Sequence, residues 1–402
     1  MTSTASALLV DATAALPRLR IVIGADTYPP DVNGAANFAS RLAIGLAGRG
    51  HDVHVLCPST DARSVTESHS GITVHRIASV GTPVHPTFRI CRPVLAFRAA
   101  QALLAELAPD LVHIQAHFVV GRALVAAAQR RGIPIVATNH FMPENLHGYL
   151  PMPKVFRAAV SRVGWWDLRR VLRTAQVVTA PTQRAVQLLA ENAVPSAVAI
   201  SCGIDLTRFP TSAPASDRLV PHVLFVGRLD EEKRVDELLR AVHRLRGDVH
   251  VRVEIVGDGK CRQAWQGLAG RLGIAGDVTF HGHVDEDALI AAYRRADVFC
   301  MPGVAELQSL ATMDALAAGT PVVAADAMAL PHLVRPGETG WLYPPGDIAA
   351  LADRLRRLLV DPSARVRMGA AGRALIAQHT MDSTLDRFEV IYRNVAVRLP
   401  LA

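Results

Sequence analysis

Long hydrophobic runs are missing from this chain of 402 residues, although half of its residues are hydrophobic. Apolar stretches are interrupted within about ten residues, whereas a membrane-spanning helix needs roughly 20. Residues 1–18 have neither the basic start nor the apolar block of a secretory signal peptide. We therefore expect a flexible N-terminal extension over 1–18 and a cytoplasmic protein.

Cysteine is also scarce. The five cysteines are far apart, odd in number and without a CxxC pair; they are Cys57, Cys91, Cys202, Cys261 and Cys300. This pattern is typical of buried thiols in a reducing cytosol, and it argues against a disulfide framework or a zinc site.

Aromatic residues make up 5% of the chain, and no nucleic-acid-binding signature accompanies the 43 Lys and Arg. We therefore expect no nucleic acid partner. The excess of these residues over 36 Asp and Glu gives a net charge of +7, which favours anionic ligands or an anionic surface. The composition assigns no oligomeric state.

Strand-like and helix-like segments alternate through both halves of the chain. Short apolar runs such as LRIVIGAD (19–26) precede segments with helical spacing such as 34–49. This alternation predicts parallel strands with helices on both faces of the sheet. A stretch rich in Pro, Ser and Ala over 208–220 indicates a linker. The predicted fold class is α/β, with two doubly wound Rossmann-like domains over 19–207 and 221–382. Ligands of such sheets bind beyond the carboxyl ends of the strands, so the cleft between the domains is the expected site.

The turn after the first strand, GADTYPPDVNGAANF (24–38), is a candidate anion site. Gly34 lies where a helix begins, and free N–H groups at a helix start carry roughly half a unit of positive charge. A plain strand-to-helix turn explains the same residues. Neither this turn nor GDGK (257–260) has the glycine spacing of a dinucleotide-binding motif or a P-loop, so neither a dehydrogenase nor a P-loop kinase is supported.

VGRLDEEKR (226–234) follows a strand and brings Arg228 and Lys233 to the same side of a turn. An arginine fork and a lysine point charge suit phosphate oxygens. A solvated charge run is the alternative, because the three acids between them can neutralise both cations locally. His117 follows the strand DLVHIQ at the cleft edge, whereas His113 inside that strand fits a buried core position.

AELQSLATMDALAAG (305–319) holds two carboxylates in an otherwise apolar helical stretch. If the helix begins near Gln308, Glu306 projects from the preceding loop and Asp314 lies about two turns into the helix. The free N–H groups at the helix start then point towards whatever Glu306 faces. The alternative is that Glu306 caps the helix and Asp314 is an exposed polar residue.

Taken in order, GRLDEEKR, FHGHVDEDALIAAYRRADVFCMPG, AELQSLATMDALAAGTPVVAAD and GETGWLYPPGD resemble the motifs of the family-4 retaining glycosyltransferases of the GT-B fold. DTYPPDVNGAANFASRLAIGLAGRGHDVHVL resembles the acceptor-side start of that family, and the resemblance covers roughly residues 19–385. It implies that 19–207 binds the acceptor and 221–382 the nucleotide sugar. It also implies that the last helix, within 383–402, packs back on the N-terminal domain.

The resemblance assigns roles to the candidate residues. Arg228 and Lys233 would hold the donor diphosphate, which Gly34 would approach from the other domain. Glu306 would face the transferred sugar, and Asp314, in place of the second Glu of an E-x7-E motif, would bind the ribose. The other implied positions are His117 beside the donor sugar, the backbone N–H groups of Leu307, Gln308 and Ser309 at sugar hydroxyls and phosphate, and Val256, Gly257 and Val284 at the base.

Two departures from the family pattern bear on the donor. Asp314 is one methylene shorter than Glu, and the frequent glycine pair after the first strand is Gly34–Ala35 here. Neither removes a charge, so we expect activity. The expected reaction has a nucleoside diphosphate (UDP or GDP) as leaving group, with no cofactor and no required metal, since two cationic side chains can replace a metal ion. Retention without an evident protein nucleophile implies, from the family alone, front-face attack.

The segment TNHFMPENLHGYLPMPK (138–154) looks closest to family members that glycosylate diacylglycerol or related lipids. The following segment, 155–175, combines arginines with a Trp pair, which suits an anionic membrane surface such as the inner face of the plasma membrane. A helix packed on the domain with a solvated basic face is the alternative. The residues assigned to the acceptor and membrane side are Asn139, His140, Glu144, Trp165, Trp166, Arg169 and Arg170.

Three other functions fit parts of the pattern. A soluble aminocyclitol or other secondary-metabolite alcohol could replace the glycolipid acceptor on the same fold. A sugar-nucleotide 2-epimerase shares the two-domain fold but transfers nothing to an acceptor, and a binding-only protein would have lost catalysis. Glu306, Arg228 and Lys233 in their transferase context favour the transferase.

Overall fold

Two separate sheets, one in each half of the chain, organise the protein. The computed structural model describes residues 17–31, 33–82, 89–143, 154–194, 196–209 and 220–397. The predicted α/β fold with two doubly wound domains is confirmed.

The N-terminal sheet is eight-stranded, in the order β10-β9-β8-β7-β1-β2-β4-β3, and a small antiparallel pair, β5-β6, lies apart from it. The strands are β1 Arg20–Gly24, β2 Asp52–Pro58, β3 Val65–His69, β4 Ile72–Ile77, β5 Ser79–Gly81, β6 Arg89–Cys91, β7 Leu111–Ile114, β8 Ile135–Thr138, β9 Val177–Ala180 and β10 Ala197–Ala199. The helices are α1 Gly34–Gly48, α2 Pro93–Leu107, α3 Val119–Gln129, α4 Lys154–Leu172 and α5 Gln183–Glu191.

The C-terminal sheet is six-stranded, in the order β13-β12-β11-β14-β15-β16. Its strands are β11 His222–Val226, β12 Arg252–Val256, β13 Val278–Gly282, β14 Val298–Met301, β15 Val322–Ala325 and β16 Gly340–Tyr343. The helices that follow are α6 Val235–Leu245, α7 Arg262–Arg271, α8 Glu286–Arg295, α9 Leu310–Ala317, α10 Leu330–Leu333, α11 Ile348–Leu359, α12 Pro362–Ile376 and α13 Met381–Ala396.

The central strands of both sheets consist of short apolar runs that are buried on both faces. β7, β8, β14 and β15 are buried at every residue, and short apolar strands of this kind belong to parallel sheets covered by helices. The sequence did not predict β3, VTESH, which pairs antiparallel with β4 at the sheet edge and is exposed throughout. Its polar residues produce no apolar run to detect.

Helix α13 returns to the N-terminal domain after the C-terminal domain is complete. Its Leu385, Phe388 and Tyr392 are buried in the core that β1 and α1 build. The Tyr392 hydroxyl lies 2.6 Å from Nδ1 of His113, whose Nε2 lies 2.7 Å from the Thr138 hydroxyl. Burial lowers the pKa of His113 to about 3. His113 is therefore the neutral, hydrogen-bonded core residue that its place inside a strand suggested.

The predicted linker is wrong at its first two residues. Phe209 is buried in the core of the C-terminal domain, and Arg208 forms an ion pair with Asp314. Residues 210–219 lie outside the described residues. Among the helices that are described, none is long and apolar enough to cross a membrane.

Candidate functional site

A cavity of about 430 Å³ lies between the two domains. The N-terminal domain contributes residues after β1, β8 and β9, and the C-terminal domain contributes residues after β11, β12, β13 and β14. The strand ends of both sheets therefore meet at one site, as expected for ligand-binding open α/β sheets. The predicted residues that line it are Gly34, Arg228, Lys233, Val256, Gly257, Val284, Glu306, Leu307, Gln308, Ser309 and Asp314.

Helix α1 presents its N-terminus to this cavity. Asn33 caps the helix, because its side-chain oxygen accepts a hydrogen bond of 2.9 Å from the N–H of Ala36. A β-carbon placed on Gly34 would meet only Leu310 Cδ1, at 3.8 Å. The space in front of Gly34 is therefore open, and an anion can approach the backbone closely.

The turns after β11 and β12 are packed directly against each other. Gly257 has a φ of +126°, and a β-carbon there would lie 2.0 Å from the carbonyl oxygen of Gly227. Only glycine permits both this conformation and this close approach. The packing brings Val256 and Gly257 to the cavity wall beside Val284 from the next turn.

Arg228 and Lys233 both reach the cavity, but they differ in their partners. Arg228 donates to Asp230 at 2.8 Å and to Glu232 at 3.0 Å. The Arg228 guanidinium is therefore paired with acids of its own turn while it lines the cavity. Lys233 instead donates to Oε1 of Glu306, in a different loop. Burial raises the pKa of Glu232, against the opposing charges of Lys233 and Arg228.

Glu306 lies in the loop before α9, as predicted, and its residue is 9% exposed. Helix α9 begins at Leu310 rather than near Gln308, because Ser309 has a φ of +67° and interrupts the helical geometry. In the described part of the chain, the backbone N–H groups of 307–310 donate to no recorded hydrogen bond. These donors lie at the cavity together with a helix N-terminus, which is suited to an anion.

The same loop is tied to the N-terminal domain. The carbonyl of Leu307 accepts a hydrogen bond of 2.8 Å from the Thr182 hydroxyl. The Gln308 side chain accepts from the N–H of Cys202 at 2.8 Å and donates to the Ser201 hydroxyl at 2.7 Å. The Gln308 side chain therefore joins the domains, and only its backbone faces the cavity as a free donor.

Asp314 is 8% exposed and lines the cavity from the second turn of α9. The alternative of an exposed polar residue is therefore wrong. Nη1 of Arg208 donates to its Oδ1 at 2.9 Å. Burial raises the pKa of Asp314 to about 6, against the opposing charges of Arg208 and Arg41. Sequence reasoning missed Arg208, since a position inside a Pro- and Ser-rich stretch gave no signal of a contact 106 residues away.

The two histidines near the N-terminal strand ends occupy different places. His117 is not among the residues that line the cavity. Its ring centroid lies 4.4 Å from that of Phe118 and 5.6 Å from that of Phe141. His140 lines the cavity instead, with Nε2 2.8 Å from Oε1 of Gln115. Burial lowers the pKa of both histidines to about 4, so both are neutral at pH 7. His140, rather than His117, thus lines the cavity from the N-terminal domain, and His283 lines it from the C-terminal domain.

The remaining acceptor-side positions divide between core and surface. Asn139 is buried, and its N–H donates to Thr179 O at 2.9 Å. Trp165 is only 8% exposed and belongs to the core, so its assignment to a membrane surface is wrong. Trp166 is 51% exposed, Arg170 lies over its ring at 5.8 Å, and Arg169 is half-buried. Glu144 lies outside the described residues.

Helix α4 carries an apolar exposed strip. Phe156, Val163 and Trp166 are 58%, 62% and 51% exposed. Their spacings of seven and three residues place them on one side of the helix. Arg162, Arg170 and Arg173 are exposed on the same helix or directly after it. The helix therefore packs on the domain through Trp165 and presents apolar and cationic groups outward.

Two family models match the chain, Glycosyltransferase Family 4 over residues 32–208 and Glycosyl transferases group 1 over residues 214–375. A GDP-mannose-dependent alpha-mannosyltransferase of Mycolicibacterium smegmatis is 30% identical over 395 residues, which are 95% of this chain and 99% of that protein. A D-inositol 3-phosphate glycosyltransferase of Thermobifida fusca is 31% identical over 393 residues, which are 90% of this chain and 89% of that protein. Among solved structures, a sucrose-phosphate synthase of Thermosynechococcus elongatus matches with a TM-score of 0.79 at 23% identity, over 94% of this chain and 100% of that one; this likeness concerns the fold.

Proposed function

Because this chain belongs to the family-4 glycosyltransferases of the GT-B fold, and is therefore a hexosyltransferase that uses a nucleoside-diphosphate sugar, we propose that its donor is GDP-mannose and its acceptor a membrane glycolipid precursor. The transfer retains the anomeric configuration. Relatives that align over nearly the whole chain are GDP-mannose-dependent alpha-mannosyltransferases, which supports the choice of donor.

One observation carries the proposed chemistry. Arg228, Lys233 and the free N–H groups of 307–310 converge on the cavity that also holds Glu306. These donors suit the two phosphates of a nucleoside diphosphate, and they are positioned before the leaving group develops its charge. Glu306 then lies where the sugar carbon attached to the phosphate becomes electron-poor.

The reaction balances without a protein nucleophile. The bond between the sugar C1 and the phosphate oxygen breaks, and the electron pair leaves with the nucleoside diphosphate. The acceptor hydroxyl attacks C1 from the same face, and its proton passes to the leaving phosphate oxygen. Arg228 and Lys233 supply the positive charge that a metal ion would otherwise supply, so the reaction requires no metal.

The outward strip of α4 is the proposed membrane contact. Phe156, Val163 and Trp166 would enter the interfacial region, while the flanking arginines would face anionic headgroups. Such docking would keep the protein at the inner face of the plasma membrane, next to a lipid acceptor.

Calorimetric titration with GDP and UDP, followed by assays with the matching sugar nucleotides, tests the proposal. We expect GDP to bind more tightly, and GDP-mannose to transfer mannose to extracted polar lipids. A sugar-nucleotide 2-epimerase would convert the donor sugar without any acceptor, and a soluble-acceptor enzyme would ignore the lipid extract. If neither nucleotide binds, the donor proposal fails.

The matched variants are Glu306→Ala and Glu338→Ala. Glu306 faces the cavity, whereas the Glu338 side chain is 53% exposed in a surface ion pair with Arg335. We expect Glu306→Ala to abolish turnover with the fold intact, and Glu338→Ala to leave it unchanged. Turnover that survives Glu306→Ala would mean that the assigned site is wrong.

A further inference from the structure

Arg208 is fixed between two acids at one end of the cavity. Its Nη1 donates to Asp314 at 2.9 Å, and its Nη2 lies 2.5 Å from Oε1 of Glu286. Its guanidinium also lies 5.2 Å from the ring centroid of Phe209. The Arg208 side chain is 13% exposed, and that of Asp314 12%. This geometry holds the Asp314 carboxylate in one orientation and leaves its Oδ2 without a recorded partner in the described residues.

Tyr293 lies beside this pair and lines the same cavity. It is fully buried, and its ring is held by Phe209 at 5.9 Å, edge to face, and by Phe299 at 5.9 Å. Its hydroxyl has no hydrogen-bond partner in the part of the chain that the structure describes. Burying an unpaired hydroxyl is unfavourable, so such a group calls for an explanation beyond packing.

The groups around the Tyr293 hydroxyl indicate what kind of ligand would supply its missing hydrogen-bond partner. Tyr293 and Asp314 line the same cavity, and Arg208, which is bonded to Asp314, packs with Tyr293 against Phe209, so the three groups form one cluster. A carboxylate oxygen that only accepts and a hydroxyl that donates and accepts together suit a ligand with neighbouring hydroxyl groups. The ribose of a nucleoside diphosphate carries such a pair.

We propose that Arg208 and Tyr293 are positioning residues for Asp314, and that the three together select a ribose with both of its hydroxyls. This inference rests on the proposed use of a nucleoside-diphosphate donor. Asp314 accepts hydrogen bonds from the ribose. Arg208 fixes the shorter carboxylate towards the cavity, and the Tyr293 hydroxyl completes its hydrogen bonding only when the ribose is bound against Asp314.

The test compares GDP with 2′-deoxy-GDP and 3′-deoxy-GDP by calorimetry, in the wild-type protein and in Arg208→Gln and Tyr293→Phe. We expect the wild type to prefer GDP over at least one deoxy analogue by about tenfold or more, since hydrogen bonds to charged groups are among the stronger ones. Both variants should lower the affinity for GDP and bring that preference towards one. Arg208→Lys should retain part of the preference for GDP over the deoxy analogue, because the positive charge is kept.

Two controls separate positioning from general damage. Arg335→Gln removes an arginine from an exposed ion pair and should leave all affinities unchanged. Tyr293→Phe should keep or raise the melting temperature of the unliganded protein, because the buried hydroxyl has no partner to lose.

Different results overturn different claims. If the wild type binds no nucleoside diphosphate, the proposed function fails. If it binds GDP and both variants keep the wild-type preference over the deoxy analogues, the inference about Arg208 and Tyr293 fails while the function stands. A lower melting temperature of Tyr293→Phe with unchanged GDP affinity would assign Tyr293 to packing alone.

Discussion

Lys233 donates a hydrogen bond from Nζ to Oε1 of Glu306, and this contact joins the turn after β11 to the loop before α9. The two side chains are 15% and 11% exposed. In the proposed reaction, the cation assigned to the leaving group and the carboxylate assigned to the transferred sugar would thus be held together by direct contact. Removing either charged side chain would leave the other charge poorly compensated in a partly buried site.

Lys233→Gln should therefore weaken GDP binding by about tenfold or more and lower kcat as well, since in the proposed reaction the same charge would contact the developing phosphate anion. The measurement is calorimetry with GDP together with steady-state transfer from GDP-mannose. Arg335→Gln, which removes a cation from an exposed ion pair instead, is the control and should change neither value. An unchanged kcat in Lys233→Gln would remove Lys233 from the chemistry.

Donor binding should also depend on pH through Asp314. Burial raises the pKa of this carboxyl to about 6, and the charged or titratable groups that act on it are Arg208, Arg41 and Glu286, with Tyr293 beside them. Because ribose hydroxyls would donate to the ionised carboxylate in the proposed complex, affinity should fall as the pH drops below about 6. The sign for folding is opposite: the pKa lies above its ordinary value, so ionisation of Asp314 costs stability above pH 6, and acidification relieves that cost.

GDP affinity measured between pH 5 and 8 checks this expectation. The phosphates of GDP titrate in the same range, so Asp314→Asn is the necessary comparison. The part of the pH dependence that disappears in Asp314→Asn belongs to the carboxyl. If the two proteins show parallel curves, Asp314 does not contact the ligand in its ionised form.

Gly34→Ala should block the approach of the diphosphate without disturbing the fold. A β-carbon there meets no atom closer than 3.8 Å, so it projects into open space at the start of α1. We expect GDP affinity to fall by about tenfold, while the melting temperature stays the same or rises because alanine favours the helix. Gly48→Ala, at the other end of α1 and with nothing within 4 Å, controls for helix propensity and should not affect binding.

Activity should survive removal of divalent metal ions. Arg228 and Lys233 both line the cavity, and in the proposed complex their positive charges would take the place of a phosphate-bound metal ion. Transfer rates measured after dialysis against EDTA should equal those measured with added Mg²⁺ or Mn²⁺. A loss on dialysis that added metal restores would contradict the proposed metal independence.

The sequence predicts those elements whose residue pattern directly reflects whether they are buried or exposed. Buried strands such as β8 and β15 appear as short apolar runs, and the two carboxylates of α9 are conspicuous because their neighbours are apolar. The pairing of Arg208 with Asp314 could not be predicted, since no local pattern records a contact between residues 106 positions apart.

Local backbone and side-chain geometry also limits what can be predicted from the sequence. Trp165 and Trp166 look alike in sequence, but successive residues on a helix point about 100° apart, so one enters the core and the other faces outward. The sequence predicts the start of α9 two residues too early, because nothing in the sequence indicates that Ser309 adopts a positive φ. His117 and His140 follow strand ends equally well, so the sequence alone does not show that His140, predicted on the acceptor side, lines the cavity and His117 does not.

The outward strip of α4 should bind anionic vesicles. Trp166 and Val163 are exposed apolar groups, and Arg170 lies over the Trp166 ring, so the strip combines insertion with positive charge. We expect Val163→Glu combined with Trp166→Ala to lower co-sedimentation with vesicles that contain anionic phospholipid by about tenfold, since each basic group near such a surface contributes only about 1 kcal/mol and cannot replace the apolar contacts.

Val366→Glu is the matched control, because Val366 is 72% exposed on α12 in the other domain. It introduces the same charge as Val163→Glu and should leave vesicle binding unchanged. Turnover on a water-soluble acceptor analogue should be equal in all three proteins, whereas turnover on lipid embedded in vesicles should fall only in the α4 double variant. If co-sedimentation is independent of anionic lipid content, α4 is a packing helix with a solvated basic face, and the acceptor reaches the cleft by another route.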